Sequence, residues 1–317
     1  MVIRHAQSVF LGTDAPIPID RPFTTEMAFA AGVSRRRLQR WLAAGLVVHP
    51  LRGVFCAAQV RHDLAFRIEC LRLVVPSECV VTDRTAAWLW GATTALAPND
   101  HLLTPRVHVF CPPGHRLRNG LVASGERMLG HTDVVERGGI RVTTPLRTAC
   151  DLGRLLHRDQ AFAAMDALAA LEVFSTLELS AAVRRFAGYR GVIQLRTLAP
   201  FVDHRSQSPG ESILRLRWLD VGLPGPELQI EVPAPGGGSY FLDLGISDLR
   251  FAAEYDGARF HDDEHRKHDE DRRQWISSTG RWTIVVARNK HITGRDQDIF
   301  GMLRNGIRDA RVEFGRR

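Results

Sequence analysis

The spacing of apolar residues along this chain changes several times, and each change predicts an element. Thr24-Thr25-Glu26 opens a short helix that Gly32 ends. Ser34 then stands as an N-cap before residues 35–44, where Val33, Leu38, Trp41 and Leu42 fall on one helical face and Gly45 supplies the stop. Leu46-Val47-Val48-His49 and Val54-Phe55 flank a Pro-Leu-Arg-Gly turn, as the strands of a hairpin do. Helix, tight turn, helix and hairpin in this order predict a winged helix-turn-helix over residues 20–60. Residues 1–20, with Pro16 and Pro18, predict an irregular arm, so that structure starts near Phe23.

Residues 61–204 predict an α/β middle domain. Helical spacing covers 62–75, and Val80-Val81-Thr82 leads into a helix carrying Trp88 and Trp90 that Gly91 ends. Residues 106–111 alternate like a strand, and Ile140-Arg141-Val142 is another. Thr144-Pro145 starts a helix as an N-cap followed by Pro at the first helical position. Further helices follow at 160–173, 176–187 and 192–202. No catalytic constellation stands out in this region, and its tryptophans read as core. Residues 205–317 form the last predicted domain. A helix opened by Ser208-Pro209-Gly210-Glu211 is followed by strands at 228–232, 240–246 and 250–256. A charged helix at 262–278, an apolar strand at 282–288 and a C-terminal helix at 295–311 complete it. The fold class is α/β, or α+β, with three domains in series.

Composition narrows the function. No apolar run approaches membrane length, which predicts a soluble, cytoplasmic protein without a membrane partner. Cys56, Cys70, Cys79, Cys111 and Cys150 are odd in number and contain no CxxC pair, so reduced buried thiols are expected rather than zinc ligands. The formal net charge is +7, and residues 33–72 alone hold eight Arg against one Asp and one Glu, a local +6. Basic charge concentrated in one short helical segment points to double-stranded DNA as a partner. Arg35, Arg36, Arg37 and Arg40 crowd the start and polar side of the second helix, and Arg52 sits in the hairpin turn. These five are the candidate DNA-binding residues, at the helix end where base edges and phosphates are met.

The chemistry concentrates in residues 240–261. Mid-strand Asp243, Glu254 and Asp256 oppose β-propensity, and carboxylates grouped in a sheet repel one another. A hairpin turn centred between Asp248 and Leu249 sets Asp243 opposite Glu254, and alternation puts Glu254 and Asp256 on one face. Three acids converging there suit a hard divalent cation, Mg2+ or Mn2+, that polarises a phosphodiester and activates water. The competing reading is structural: Arg250, Arg272 and Arg273 are available to bind one or two of the acids. Glu211 is a fourth acid candidate, though Ser208-x-x-Glu211 also fits a helix capping box. His261 follows Gly257, which permits a sharp exit from the strand. The histidine is a candidate general base, or a phosphate ligand in its protonated form. His265 and His268 lie in a stretch of acidic residues that reads as a solvated helix.

Two resemblances attach to these residues. The helix with Glu211, the strand Phe-Leu-Asp243-Leu-Gly and the strand Glu254-Tyr-Asp-Gly resemble the PD-(D/E)XK restriction-endonuclease-like fold, in its very-short-patch mismatch repair branch. Asp256-Gly257-Ala258-Arg259-Phe260-His261 is similar to that branch's His-Gly-x-x-Trp-His segment. Asp271-Arg272-Arg273 with Gly280 and Trp282 is similar to its Asp-Arg-Arg and Gly-Trp signature. The likeness spans about residues 206–300 and implies Asp243 as central metal ligand, Glu211 and Glu254 as supporting acids and His261 as a catalytic histidine. Asp256 departs from it, standing where the wider fold has a lysine; Lys267, Lys290 or an arginine is left to replace that cation. Over about residues 20–200, Gly-Val-Ser-Arg35, Arg52-Gly-Val-Phe, Thr85-Ala-Ala-Trp-Leu-Trp-Gly and Val142-Thr-Thr-Pro-Leu-Arg-Thr-Ala-Cys-Asp-Leu resemble AbiEi-type antitoxins of type IV toxin–antitoxin systems. That likeness implies a winged helix joined to an α/β domain, repression of the protein's own operon and a cognate toxin or other protein partner. The expectation is a DNA-binding protein with a metal-dependent endonuclease-type domain. The alternative is an antitoxin or transcriptional repressor whose nuclease fold is catalytically degenerate.

Overall fold

A computed structural model describes residues 2–5, 8–95, 106–111, 122–125, 127–257 and 263–315. The chain is mixed α/β and divides into two compact units, residues 1–152 and 153–317. The segment expected as a winged helix lies in the first unit. The expected middle domain is shared between the two, and residues 205–317 lie in the second.

In the first unit, β1 (Val2–His5) and β2 (Ser8–Leu11) form an antiparallel ladder, Val2↔Leu11 to His5↔Ser8. This corrects the irregular arm. Val2, Ile3, Val9 and Phe10 are strand formers, and the two prolines that suggested an arm come only after Leu11. Next come β3 (Phe23–Thr24), α1 (Thr25–Ala30), α2 (Arg35–Ala43), β4 (Val47–Leu51) and β5 (Val54–Ala57). Thr24 accepts from the Met27 amide at 3.2 Å, and Ser34 from the Arg37 amide at 3.3 Å, so both helices carry the side-chain caps their sequences suggest. The three strands pair in the order β3-β5-β4. Ala28, Val33, Leu38, Leu46, Val47 and Phe55 close one core between helices and hairpin.

The rest of this unit holds α3 (Leu64–Arg72), β6 (Val80–Val81), α4 (Asp83–Trp90), β7 (Val107–Phe110), β8 (Val122–Gly125), β9 (Val134–Arg137) and β10 (Ile140–Thr143). The sheet runs β8-β7-β6-β10-β9, with β10 parallel to β6 and β8 parallel to β7. Phe66, Leu71, Leu89, Val107, Val109 and Val142 fill its core. Strands β8 and β9 have no counterpart among the expected elements. β9 reads Val-Val-Glu-Arg and is partly to fully exposed, so it lacks the alternation that marks a strand in sequence.

The chain crosses to the second unit within α5 (Pro145–Leu155) and continues through α6 (Arg158–Ala169), α7 (Thr176–Ala182) and α8 (Val192–Leu198). There follow α9 (Pro209–Val221), β11 (Glu227–Pro233), β12 (Ser239–Ile246), β13 (Phe251–Tyr255), α10 (Asp263–Ser278), β14 (Thr283–Ala287), α11 (Asn289–Ile292) and α12 (Ile299–Gly315). The sheet order is β11-β12-β13-β14, antiparallel until β13 and β14, which run parallel. Phe251, Ala253 and Val285 pack with Leu214 and Trp218 of α9 and Leu303 and Ile307 of α12. Ala252 and Ile284 face Trp275 and Ile276 of α10. The sheet is thus covered by helices on both faces, and of its acids Glu254 is buried and Asp243 half-buried. Asp166 of α6, wholly buried, is held by the Arg215 guanidinium of α9 at 2.6 Å and the Asp203 amide at 3.0 Å. Those partners answer a burial that by itself raises its pKa.

Candidate functional site

The basic helix presents the first candidate surface. Arg35, Arg36 and Arg40 of α2 are exposed, and Arg52 is exposed in the turn between β4 and β5. Arg37 differs from its neighbours. It is half-buried, with its guanidinium 4.7 Å from the centre of the Trp41 ring. Leu38 is buried in the core, so α2 is anchored there while Arg35, Arg36 and Arg40 stay exposed.

The carboxylate site is built in the second unit around β12 and β13. Their ladder, Leu244↔Ala253 through Ile246↔Phe251, turns about the expected centre, and one step further sets Asp243 beside Glu254. The Asp243 carboxylate accepts the Tyr255 amide at 2.7 Å. On its other side stands Gln229 of β11, between the paired rungs Leu228↔Leu244 and Ile230↔Leu242. Gln229 has φ +52°, a conformation that L side chains rarely adopt. Its side-chain amide lies 3.4 Å from Glu211 Oε2. Strained backbone beside an acid is a mark of functional sites.

Glu211 reaches this place because Gly210 lets α9 approach β13. A Cβ at Gly210 would stand 2.0 Å from the Tyr255 ring. Ser208 accepts the Glu211 amide at 3.2 Å, while Glu211 Oε2 accepts the Gln207 amide at 2.9 Å. Glu211 therefore serves helix capping and faces Asp243 at once. Burial raises the Asp243 carboxyl to about 7, the Glu211 charge adds to that, and the Tyr255 amide offsets part of it. Burial likewise raises Glu211, against its hydrogen bonds from Gln207 and Ser208.

Glu254 behaves differently. It is 3% exposed, and α10 supplies two cations: Arg272 at 2.7 Å from Oε1 and Arg273 at 3.0 Å from Oε2. Asp256 lies 3.3 Å from the exposed Arg288 and 3.7 Å from Arg273. The three strand acids do not converge. Among the described residues no three His, Cys, Asp or Glu side chains gather closely enough to hold a metal ion. The physical reason is that two acids are neutralised by arginines and so need not share a cation. His261 lies outside the described residues. Among the described residues, Arg273 and Arg288 are cations paired with Asp256. The donor set fits a divalent ion in part: Asp243 and Glu211 form a repelling half-buried pair that such an ion would relieve, whereas Glu254 is satisfied as it stands. Removing both arginines in Arg272→Ala/Arg273→Ala leaves Glu254 a buried unpaired charge, and urea unfolding should show a loss of about 3–5 kcal/mol. Adding Glu254→Gln to that variant should recover part of it.

Sequence reasoning passed over one cluster in the first unit. Arg147 donates to Asp151 at 2.9 Å and to Asp133 at 2.6 Å. Arg127 reaches Asp151 at 2.7 Å and Asp83 at 2.9 Å. Its one local signal was the i,i+4 spacing of Arg147 and Asp151. The network ties the loop at 127–133 and the start of α4 to α5.

Residues 78–201, which include this cluster, match the family model of the AbiEi antitoxin C-terminal domain. Two uncharacterized proteins of Mycobacterium tuberculosis, from strains CDC 1551 / Oshkosh and H37Rv, are each 31% identical to this chain over 229 residues, 72% of this chain and 80% of theirs. The chain belongs to one family with these mycobacterial proteins, and it carries the AbiEi-type antitoxin domain within it. Among the described residues no helix is long and apolar enough to cross a membrane.

Proposed function

We propose that this chain is a DNA-binding regulator of the antitoxin type, with residues 20–60 acting as a winged helix that binds double-stranded DNA through α2. The observation that carries the reading is the exposed row Arg35, Arg36 and Arg40 directly after the Ser34 cap, in a chain whose residues 78–201 match an antitoxin domain. The capped helix end offers backbone amides and guanidinium groups to phosphates, and the hairpin carrying Arg52 offers a second backbone contact. The test is binding of the purified chain to DNA from upstream of its own gene, measured by fluorescence anisotropy over a salt series. Nanomolar binding with a steep salt dependence and a preference over unrelated DNA supports the reading. Salt-insensitive or absent binding overturns it. A cognate toxin is the protein partner this reading implies.

A second reading, a metal-dependent DNA endonuclease in the C-terminal unit, rests on the Glu211–Asp243 pair and on the order helix, three strands, helix, strand around it. Asp243 and Glu211 would hold Mg2+ or Mn2+, which would supply a Lewis acid and a lowered pKa for bound water. Within the protein, the Tyr255 amide fixes the Asp243 carboxylate, and Gln229 steadies Glu211. Incubating plasmid, mismatched duplex and single-stranded DNA with the chain and either ion decides the matter. Cleavage lost in Asp243→Ala supports it. Three intact substrates, or nicking that survives Asp243→Ala, sinks it and leaves the regulator.

A further inference from the structure

Cys79 immediately precedes β6, and Cys111 immediately follows β7. The two strands are antiparallel, with Val80↔Phe110 and Val81↔Val109 paired, and one more step brings Cys79 opposite Cys111. The Thr82 amide donates to the His108 carbonyl directly across, at 3.0 Å, which makes that rung a hydrogen-bonded pair. Rungs alternate, so Cys79 and Cys111 form a non-hydrogen-bonded pair; accordingly the Cys79 amide donates to Pro76 instead. Such pairs hold their Cα atoms about 4.5 Å apart, at the short end of the span a disulfide bridges. The sulfurs are 2.6 Å apart, inside van der Waals contact, and both residues are buried in the core of the five-stranded sheet.

We propose that Cys79 and Cys111 are a redox-active pair that closes a reversible cross-strand disulfide under peroxide. Cys111 is the less buried residue of the two, at 7% against 1%. Its thiol loses a proton and the thiolate attacks hydrogen peroxide, forming a sulfenic acid and a hydroxide that takes up that proton as water; the Cys79 thiol then attacks the sulfenic sulfur, forming the S–S bond while its proton leaves with the hydroxyl as a second water. Two thiols are oxidised and one peroxide is reduced. Arg141 of β10, whose guanidinium donates to the Glu78 carbonyl at 3.3 Å, brings a positive charge that offsets a little of the rise that burial and Cys111 impose on Cys79. Burial pushes the Cys79 thiol up to about 12, so that it rests protonated and reacts slowly.

The test is thiol mapping of the full-length chain. Protein is treated with hydrogen peroxide, unfolded, alkylated and digested without reductant. The expected result is a linked peptide pair containing Cys79 and Cys111, lighter by two hydrogens than the separate peptides, with the other three of the five cysteines alkylated. Dithiothreitol should restore five alkylated cysteines, and Cys79→Ser should abolish the linkage. Alkylation of all five after peroxide, or a linkage through Cys56, Cys70 or Cys150, overturns the proposal. Because the deciding measurement is made on the wild-type chain, poor folding of a variant does not affect it.

Discussion

Asp243→Asn will raise the melting temperature of this protein at pH 8 and leave it nearly unchanged at pH 4. In the folded chain the carboxyl titrates at about 7, from burial first and the Glu211 charge second. In the unfolded chain it titrates near its ordinary value of about 3.9. A raised acid makes the folded state bind more protons than the unfolded one, so stability falls as pH rises from about 4 to about 7 and then levels off. About three units at 1.4 kcal/mol each set the ionic penalty above neutrality at no more than about 4 kcal/mol. Asparagine keeps the shape and the acceptor for the Tyr255 amide and sheds the charge. For a unit of this size that corresponds to a shift of roughly 10 °C, read by differential scanning calorimetry. Glu211, raised by burial as well, adds in the same direction. If Asp243 and Glu211 bind a divalent ion, Mg2+ at pH 8 should stabilise the wild-type chain and lose that effect in Asp243→Asn. An Asp243→Asn chain destabilised equally at both pH values would show that the carboxylate is an ordinary structural acid. A residue whose ionised form destabilises its own fold is the kind of group that function retains.

Much of this site was legible before any coordinates. The turn centre between Asp248 and Leu249 follows from spacing alone, and the ladder keeps that register. Capping was readable too, because a cap and its amide lie three residues apart: Ser34 with Arg37, Ser208 with Glu211. What escaped was nonlocal. Arg272 and Arg273 were evident as candidate partners, yet nothing in their spacing says that both take Glu254, 18 and 19 residues away across the sheet, and leave Asp243 to Glu211. Gln229 gives no sequence signal at all, since its role rests on a backbone angle. Strand β9 was invisible because its partner β10 supplies the pairing that its own pattern does not announce. The same limit applies to Cys79 and Cys111. Their scatter along the chain suggested inert thiols, and only the β6–β7 pairing sets them face to face.

Replacing Arg35, Arg36 and Arg40 together with alanine will weaken DNA binding by roughly 100-fold, at about 1 kcal/mol for each lost solvent-exposed contact. The three are chosen for their exposure. Arg37 is left alone because it lies over the Trp41 ring, and its loss would disturb the helix itself. Exposed Arg→Ala changes on a capped helix alter stability by no more than about 0.5 kcal/mol each, so melting temperature serves as the control that α2 still folds. The salt series carries the sharper information. Each phosphate contact contributes about 0.9 to the slope of log affinity against log salt, so the triple variant should flatten that slope by nearly 3. Uniform weakening across all sequences would make the arginines backbone clamps, whereas loss of preference for the operator would place at least one of them on a base edge. Unchanged affinity and slope would remove α2 as the DNA reader. A basic helix that the core holds by Leu38 and that exposes Arg35, Arg36 and Arg40 would then need a different polyanion to explain its charge.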